Sequence, residues 1–212
     1  MVESDDDAVT VIHANAPAAE AVLQGQPRWV DLVRVRTADG QERLYAGGGG
    51  VGLDAEAAQY AAAAFRRIPG RFRYIASALR ALATHTPINV QIEFPRSELA
   101  PVKASALLTA VLNTPTYGAG LRLAPDAAID DGLLNVVLIE DLSAMEVLKL
   151  LPALIGSGEL HTSRVKRWRV ERVSLITDRP CLFHGDGEIL GPTPVAIEVL
   201  PRAIRVLAPA VA

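Results

Sequence analysis

From Trp29 onward the chain reads as a succession of short strands. Val30, Leu32, Val33 and Val35 are interspersed with Asp31, Arg34 and Arg36, and Arg43-Leu44-Tyr45-Ala46 follows Asp39-Gly40. Half-apolar runs on either side of a D-G pair predict a β-hairpin. Ile88-Asn89-Val90-Gln91-Ile92-Glu93-Phe94 alternates with period two, which marks a strand with one buried face. Residues 106–113 and 133–139 read as buried strands. The stretches 165–170, 172–177, 181–184, 195–200 and 203–207 read as further short ones. Helical signals are fewer. One short helix is expected near residues 18–23. A second runs from Asp54, as N-cap or first-turn acid, through Arg67. A third covers 72–82 with Ile75, Leu79 and Leu82 on one face, and Pro87 ends it. Ser143-Ala144-Met145-Glu146 is a capping-box pattern ahead of Val147, Leu148, Leu150, Leu151, Leu154 and Ile155, a helix stopping near Gly156. Many short strands with few helices predict a mainly-β, sandwich-like α+β domain. Residues 1–27 are polar, then alanine-rich, and read as a linker-like end.

Composition narrows the function classes. The chain has 212 residues, half of them apolar, which allows one substantial core. A formal charge of −3 shows no basic footprint, so nucleic acid is not the expected partner. The single cysteine, Cys181, excludes an internal disulfide and a cysteine zinc cluster, and its apolar neighbours mark it as a core residue. No stretch is long and apolar enough to cross a bilayer, and the acidic start lacks the pattern of a signal peptide. A cytoplasmic protein is expected, with peripheral contact at the inner membrane surface left open. Lys166-Arg167-Trp168-Arg169, with Arg164 and Arg172, is either a solvated strand face or a patch for anionic lipid headgroups. His13, His85 and His161 read as surface or cap residues.

The candidate chemistry lies in three places. His184-Gly185-Asp186-Gly187-Glu188 would put Asp186 and Glu188 on one face if extended, a pairing suited to a general base, a metal ligand or both. Its other reading is a polar D-G turn. Gly47-Gly48-Gly49-Gly50 is either a phosphate-cradling loop or a flexible connection, and it lacks the Lys-Ser/Thr ending of a P-loop. Asp130-Asp131-Gly132 is either a turn or, through Asp131 and neighbouring carbonyls, an oxygen site for a hard cation.

In order along the chain come Gly50-Val51-Gly52-Leu53-Asp54-Ala55, then Asn113-Thr114-Pro115-Thr116-Tyr117-Gly118-Ala119-Gly120. Ala124-Pro125-Asp126-Ala127, Asp130-Asp131-Gly132-Leu133-Leu134 and Asp186-Gly187-Glu188 follow. This ordered set resembles the C-terminal domain of the diacylglycerol kinase, sphingosine kinase and bacterial YegS-like lipid kinase family, over roughly residues 20–209. The resemblance implies that residues 28–212 form a substrate-binding domain, with 1–27 as remnant or linker. It implies that Asp186 is the general base taking the proton of a lipid hydroxyl, and that Glu188 lies near the nucleotide and its metal. It further implies that Asp131 ligates a structural Mg2+, with the carbonyls of Ala128 and Leu133. ATP would be the co-substrate. The family's phosphate loop, of Gly-Gly-Asp-Gly-Thr type, has no counterpart in these 212 residues. The expectation is therefore the lipid-binding half of a two-domain kinase, inactive alone, with a nucleotide-binding domain or a second copy as partner. The alternative is a non-catalytic lipid-binding or regulatory module.

Overall fold

The computed structural model describes residues 24–63, 80–118, 120–160 and 162–208. The helix expected at 18–23, much of the one at 72–82, and His13 and His161 lie outside the described residues. The elements run β1 (Gln26–Arg36), β2 (Glu42–Tyr45), β3 (Gly48–Gly52), α1 (Leu53–Ala63), β4 (Ile88–Glu93), β5 (Val102–Leu112), β6 (Leu134–Glu140), α2 (Ala144–Ile155), β7 (Val165–Val170), β8 (Arg172–Thr177), β9 (Leu182–Gly185), β10 (Glu188–Pro192) and β11 (Val195–Ala208). This is the mainly-β α+β architecture that the alternation pattern predicts.

Every strand pairing is antiparallel, and β5 is the hub. Its first half pairs with β4 and its second half with β3, while β6 lies along its other edge. Two layers therefore diverge from one strand: β4-β8-β11-β1-β2 on one side, and β7-β6 with β3-β9-β10 on the other. Side chains alternate across a strand, so β6 serves two cores. Val136 and Leu138 face the space between the layers, with Val33, Val35, Ile92, Leu175 and Phe183. Val137 and Ile139 face the opposite way, against Leu123, Leu142 and Leu154. Burying each such side chain contributes roughly 1.5–3 kcal/mol.

Local chemistry accounts for the boundaries of α2. Ser143 Oγ accepts from the Glu146 amide, and the Glu146 carboxylate accepts from the Ser143 amide at 2.9 Å. The Ser143 hydroxyl, which donates to the Glu146 carboxylate at 2.7 Å, and then the Ser143 amide hold that carboxyl below its ordinary range. Gly156 closes the helix by donating its amide N–H to the Pro152 carbonyl.

The structure departs from the sequence reading in several elements. Gly47–Gly50 is neither a flexible connection nor a ligand loop: residues 48–52 form a fully buried strand. The stretches at 195–200 and 203–207 form one continuous strand, which bends at Arg202 (φ 51°) and sits opposite a bulge between Val30 and Leu32. Strand β10 was not legible, because Gly191 and Pro192 disguise it. His85 is not a surface residue; its side chain is 3% exposed beside Glu56. Trp168 packs on Phe94 at 5.4 Å between ring centroids. Cys181 packs against the inter-layer core, and burial pushes its thiol up.

The ends of β1 and β11 extend beyond both layers as a two-stranded ribbon, with Gln26 opposite Ala208 and Trp29 opposite Arg205. Trp29, Ile204 and Leu207 are 41%, 40% and 49% exposed there, and Arg202 and Arg205 each lie 5.7 Å from the Trp29 ring centre. A bare two-stranded ribbon is marginal in water, and its open edges invite pairing. The isolated chain should therefore self-associate, with light scattering showing dimers or larger species. Ile204→Lys combined with Leu207→Lys should shift the distribution toward monomer. A monodisperse wild-type monomer at high concentration would contradict this.

Candidate functional site

The site is organised by β3. This strand is threaded between β5 and β9, and its glycines leave no room for side chains. A Cβ on Gly49 would lie 2.9 Å from the Phe183 ring and closer still to the His184 carbonyl; one on Gly50 would lie 2.8 Å from the Thr109 carbonyl. The lack of side chains lets three backbones pack at this spacing.

Asp186 is not on an extended segment. Asp186 (φ 50°) and Gly187 (φ 89°) are the two central residues of a tight turn joining β9 to β10, with Gly185 paired to Glu188. Positive φ at both positions is the type I′ pattern, which D-G favours. The turn folds the Asp186 side chain back over the start of β3. Its Oδ2 accepts from the Ala46 amide at 2.7 Å, and its Oδ1 accepts from the amides of Gly47 and Gly48 at 3.0 Å each. The glycine-rich backbone does cradle an anion, but it is the protein's own carboxylate. A carboxylate offers about four lone-pair positions, so Oδ2 keeps one free. Asp186 and Glu188 are both exposed at this rim.

A second polar cluster lies on β3's far side. Asp54, in the first turn of α1, accepts from the Tyr117 hydroxyl, and His184 Nε2 lies 3.0 Å from the same Asp54 oxygen. Tyr117 Oη and His184 Nε2 are 2.5 Å apart, and the His184 side chain is 7% exposed. His184 therefore faces Asp54 and Tyr117, not Asp186. Desolvation first, then the Asp54 charge, hold the Tyr117 hydroxyl well above its ordinary pKa. Tyr45, which donates to the Val111 carbonyl at 3.1 Å, is raised by burial and by Asp186. Asp54 and Tyr117 both stand in the quoted motifs, yet nothing in their spacing shows that they meet.

Asp31 is a structural carboxylate that its position in an ordinary-looking strand concealed. It is fully buried and accepts from the Gly132 amide and the Arg202 amide, both at 2.7 Å. It thereby ties the 130–132 turn to the bend of β11. Asn113 adds bonds from its side-chain amide to the carbonyls of Asp31 (3.2 Å) and Ala46 (3.0 Å).

Asp131 sits away from Asp186's cradle. Its Oδ1 accepts from the Leu133 amide at 3.0 Å and its Oδ2 from Arg169 at 2.6 Å. Asp130 is paired with Arg28 at 2.8 Å. Among the described residues no group of three or more His, Cys, Asp or Glu side chains could hold a metal ion. With a guanidinium on Asp131, the set of Asp131, Ala128 and Leu133 as arranged does not fit a divalent cation. The basic run is likewise engaged by the protein. Lys166 pairs with Glu140 at 2.6 Å, Arg167 donates to the carbonyls of Leu123 and Gly158 at 3.0 Å each, and Arg172 pairs with Glu198 at 3.0 Å. No described helix is long and apolar enough to cross a membrane.

Two antiparallel layers sharing a hub strand, with an acidic hairpin turn on a glycine strand, define a β-sandwich-like domain. The profile of the YegS C-terminal NAD kinase beta sandwich-like domain matches residues 49–208, and the chain belongs to that family. It is 28% identical over 193 residues to a diacylglycerol kinase of Mycobacterium tuberculosis, covering 91% of this chain and 61% of the relative. A Bacillus subtilis diacylglycerol kinase is 22% identical over 192 residues, with 91% and 61% covered. A solved diacylglycerol kinase structure from Bacillus anthracis shares the fold at TM-score 0.62 and 16% identity, over 92% of this chain and 59% of that one. The chain thus spans about 60% of the length of these relatives.

Two outcomes follow. Gly49→Ala should lower unfolding free energy by about 3 kcal/mol, since neither the His184 carbonyl nor the Phe183 ring can retreat. Gly118→Ala, strained only by its φ of 55° and meeting no atom within 4 Å, should cost less; equal denaturation midpoints would refute the close-approach argument. The buried tyrosines set the alkaline limit. Their folded pKa values are raised, so the neutral hydroxyl is favoured by folding. That contribution is whole below pH ~10 and is lost as the pH climbs further and unfolded tyrosine ionises. The unfolding free energy from urea titration should fall above pH ~10 by up to roughly 1.4 kcal/mol per pH unit per tyrosine. Tyr117→Phe should flatten the slope.

Proposed function

We propose that this chain is the substrate-binding, base-supplying domain of an ATP-dependent lipid kinase. The observation that carries the reading is the fixed Asp186 carboxylate. Three backbone amides hold it at an exposed rim and leave one lone pair on Oδ2. A base in general acid–base catalysis must be held within hydrogen-bond reach of the proton it takes. Here the hydroxyl of a lipid such as diacylglycerol or a sphingoid base would donate to Oδ2 as its oxygen attacks phosphorus. The rigid turn restricts Asp186 to that approach, so orientation is set before the substrate arrives. Glu188, two residues on and also exposed, would face the nucleotide and its metal. ATP with Mg2+, held by a separate nucleotide-binding domain, would supply the phosphoryl group and shield its charge. The diacylglycerol kinase relatives, matched over about 60% of their length, support the substrate class.

The second reading is a non-catalytic lipid-binding or regulatory module. The test is to join the chain to the nucleotide-binding part of the Mycobacterium tuberculosis relative and assay phosphorylation of diacylglycerol in vesicles. Activity is expected, with Asp186→Asn slowing turnover by about 10²–10⁴-fold. Full activity in that variant would remove Asp186 as the base. Vesicle binding without phosphorylation would favour the module reading.

A further inference from the structure

Residues 128–133, leading into β6, carry two adjacent carboxylates that repel each other unless each is neutralised. Each meets an arginine from a different strand. Arg28 of β1 reaches Asp130 Oδ2 with Nε at 3.0 Å and Nη2 at 2.8 Å. Arg169 of β7 reaches Asp131 Oδ2 at 2.6 Å. The β6–β7 register sets Arg169 there, because Asn135 pairs with Arg169 two residues beyond Leu133. We infer that in this chain the Arg169 guanidinium takes the role of a divalent cation at the 128–133 turn, neutralising Asp131 and tying the turn to β7.

The chemistry favours one occupant or the other, not both. Mg2+ and Ca2+ sit about 2.0–2.6 Å from their oxygen ligands. A divalent ion on Asp131 would therefore share Oδ2 with a guanidinium bound at 2.6 Å, or displace the Leu133 amide from Oδ1. In either position it would face a like charge across a few ångströms. The turn also has anchors that need no ion. The Asp31 amide donates to the Ile129 carbonyl at 2.8 Å, and the Asp31 side chain accepts from the Gly132 amide. The side chains of Arg169 and Asp131 are 49% and 22% exposed, so the pair is accessible to solvent and screened by salt. The turn is thus held by a covalently tethered cation whose occupancy does not vary with metal concentration.

This inference does not rest on the proposed lipid reaction, and its test reads folding, so a failed kinase assay leaves it intact. Thermal unfolding of the full chain is measured in EDTA and in millimolar Mg2+. The wild-type midpoint should be the same in both. Arg169→Met should lower the midpoint in EDTA by about 1–3 °C. Mg2+ should restore it, and that response should vanish when Asp131→Asn is added. The inference is overturned if Mg2+ raises the wild-type midpoint and Asp131→Asn abolishes the rise. It is equally overturned if Arg169→Met leaves the EDTA midpoint unchanged or shows no response to Mg2+.

Discussion

The close approach of β3 to β5 and β9 is the constraint on which the rest of the site depends. A strand made largely of glycine is a poor choice on propensity, because each glycine loses more backbone freedom on folding and packs no side chain. Here the loss is offset by what the bare backbone permits. The Phe183 ring and the His184 carbonyl press against Gly49, and the Thr109 carbonyl presses against Gly50. With the strand at that depth, the amides of Ala46, Gly47 and Gly48 converge on one carboxylate, and Asp54, Tyr117 and His184 close over the other side.

Two devices recur in neutralising carboxylates: backbone amides, as at buried Asp31 and rim-exposed Asp186, and arginine, as at Asp131 and Glu198. Asp31, without solvent, takes two amide donors, which joins the 130–132 turn to the bend of β11. Glu198 on the surface of β11 takes Arg34 and Arg172, and Arg34 holds its carboxyl below the ordinary range. Amide donors leave no compensating cation to desolvate, whereas a buried ion pair would have to desolvate both partners. The turn at 128–133 combines both devices, which is how it is anchored to β1 and β7 at once.

Much of the fold was legible because its signals are local. The period-two alternation of Ile88 to Phe94, the capping box at Ser143 and the D-G pair at Asp39-Gly40 each record a constraint acting within a few residues. The misreadings fall where the constraint is distant. Gly47–Gly50 resembles a loop because its strand identity comes from β5 and β9, not from side chains. His85 carries no sign that it is buried beside Glu56, and Trp168 none that it meets Phe94. The candidate acids were legible as a list: Asp186, Glu188 and Asp131 stand in recognisable motifs. Their surroundings were not, since the donors to Asp186 lie about 140 residues earlier in the chain.

By itself, the sequence determined the fold class, the family and where the acidic turns lie, because hydrophobic period, turn residues and motif order are one-dimensional properties. Only the tertiary structure decided what each acid meets. Asp186 is cradled by amides, Asp54 is bound to Tyr117 and His184, and Asp131 is bound to Arg169. Those partners are set by strand register and packing depth, and neither is written in the spacing of residues along the chain.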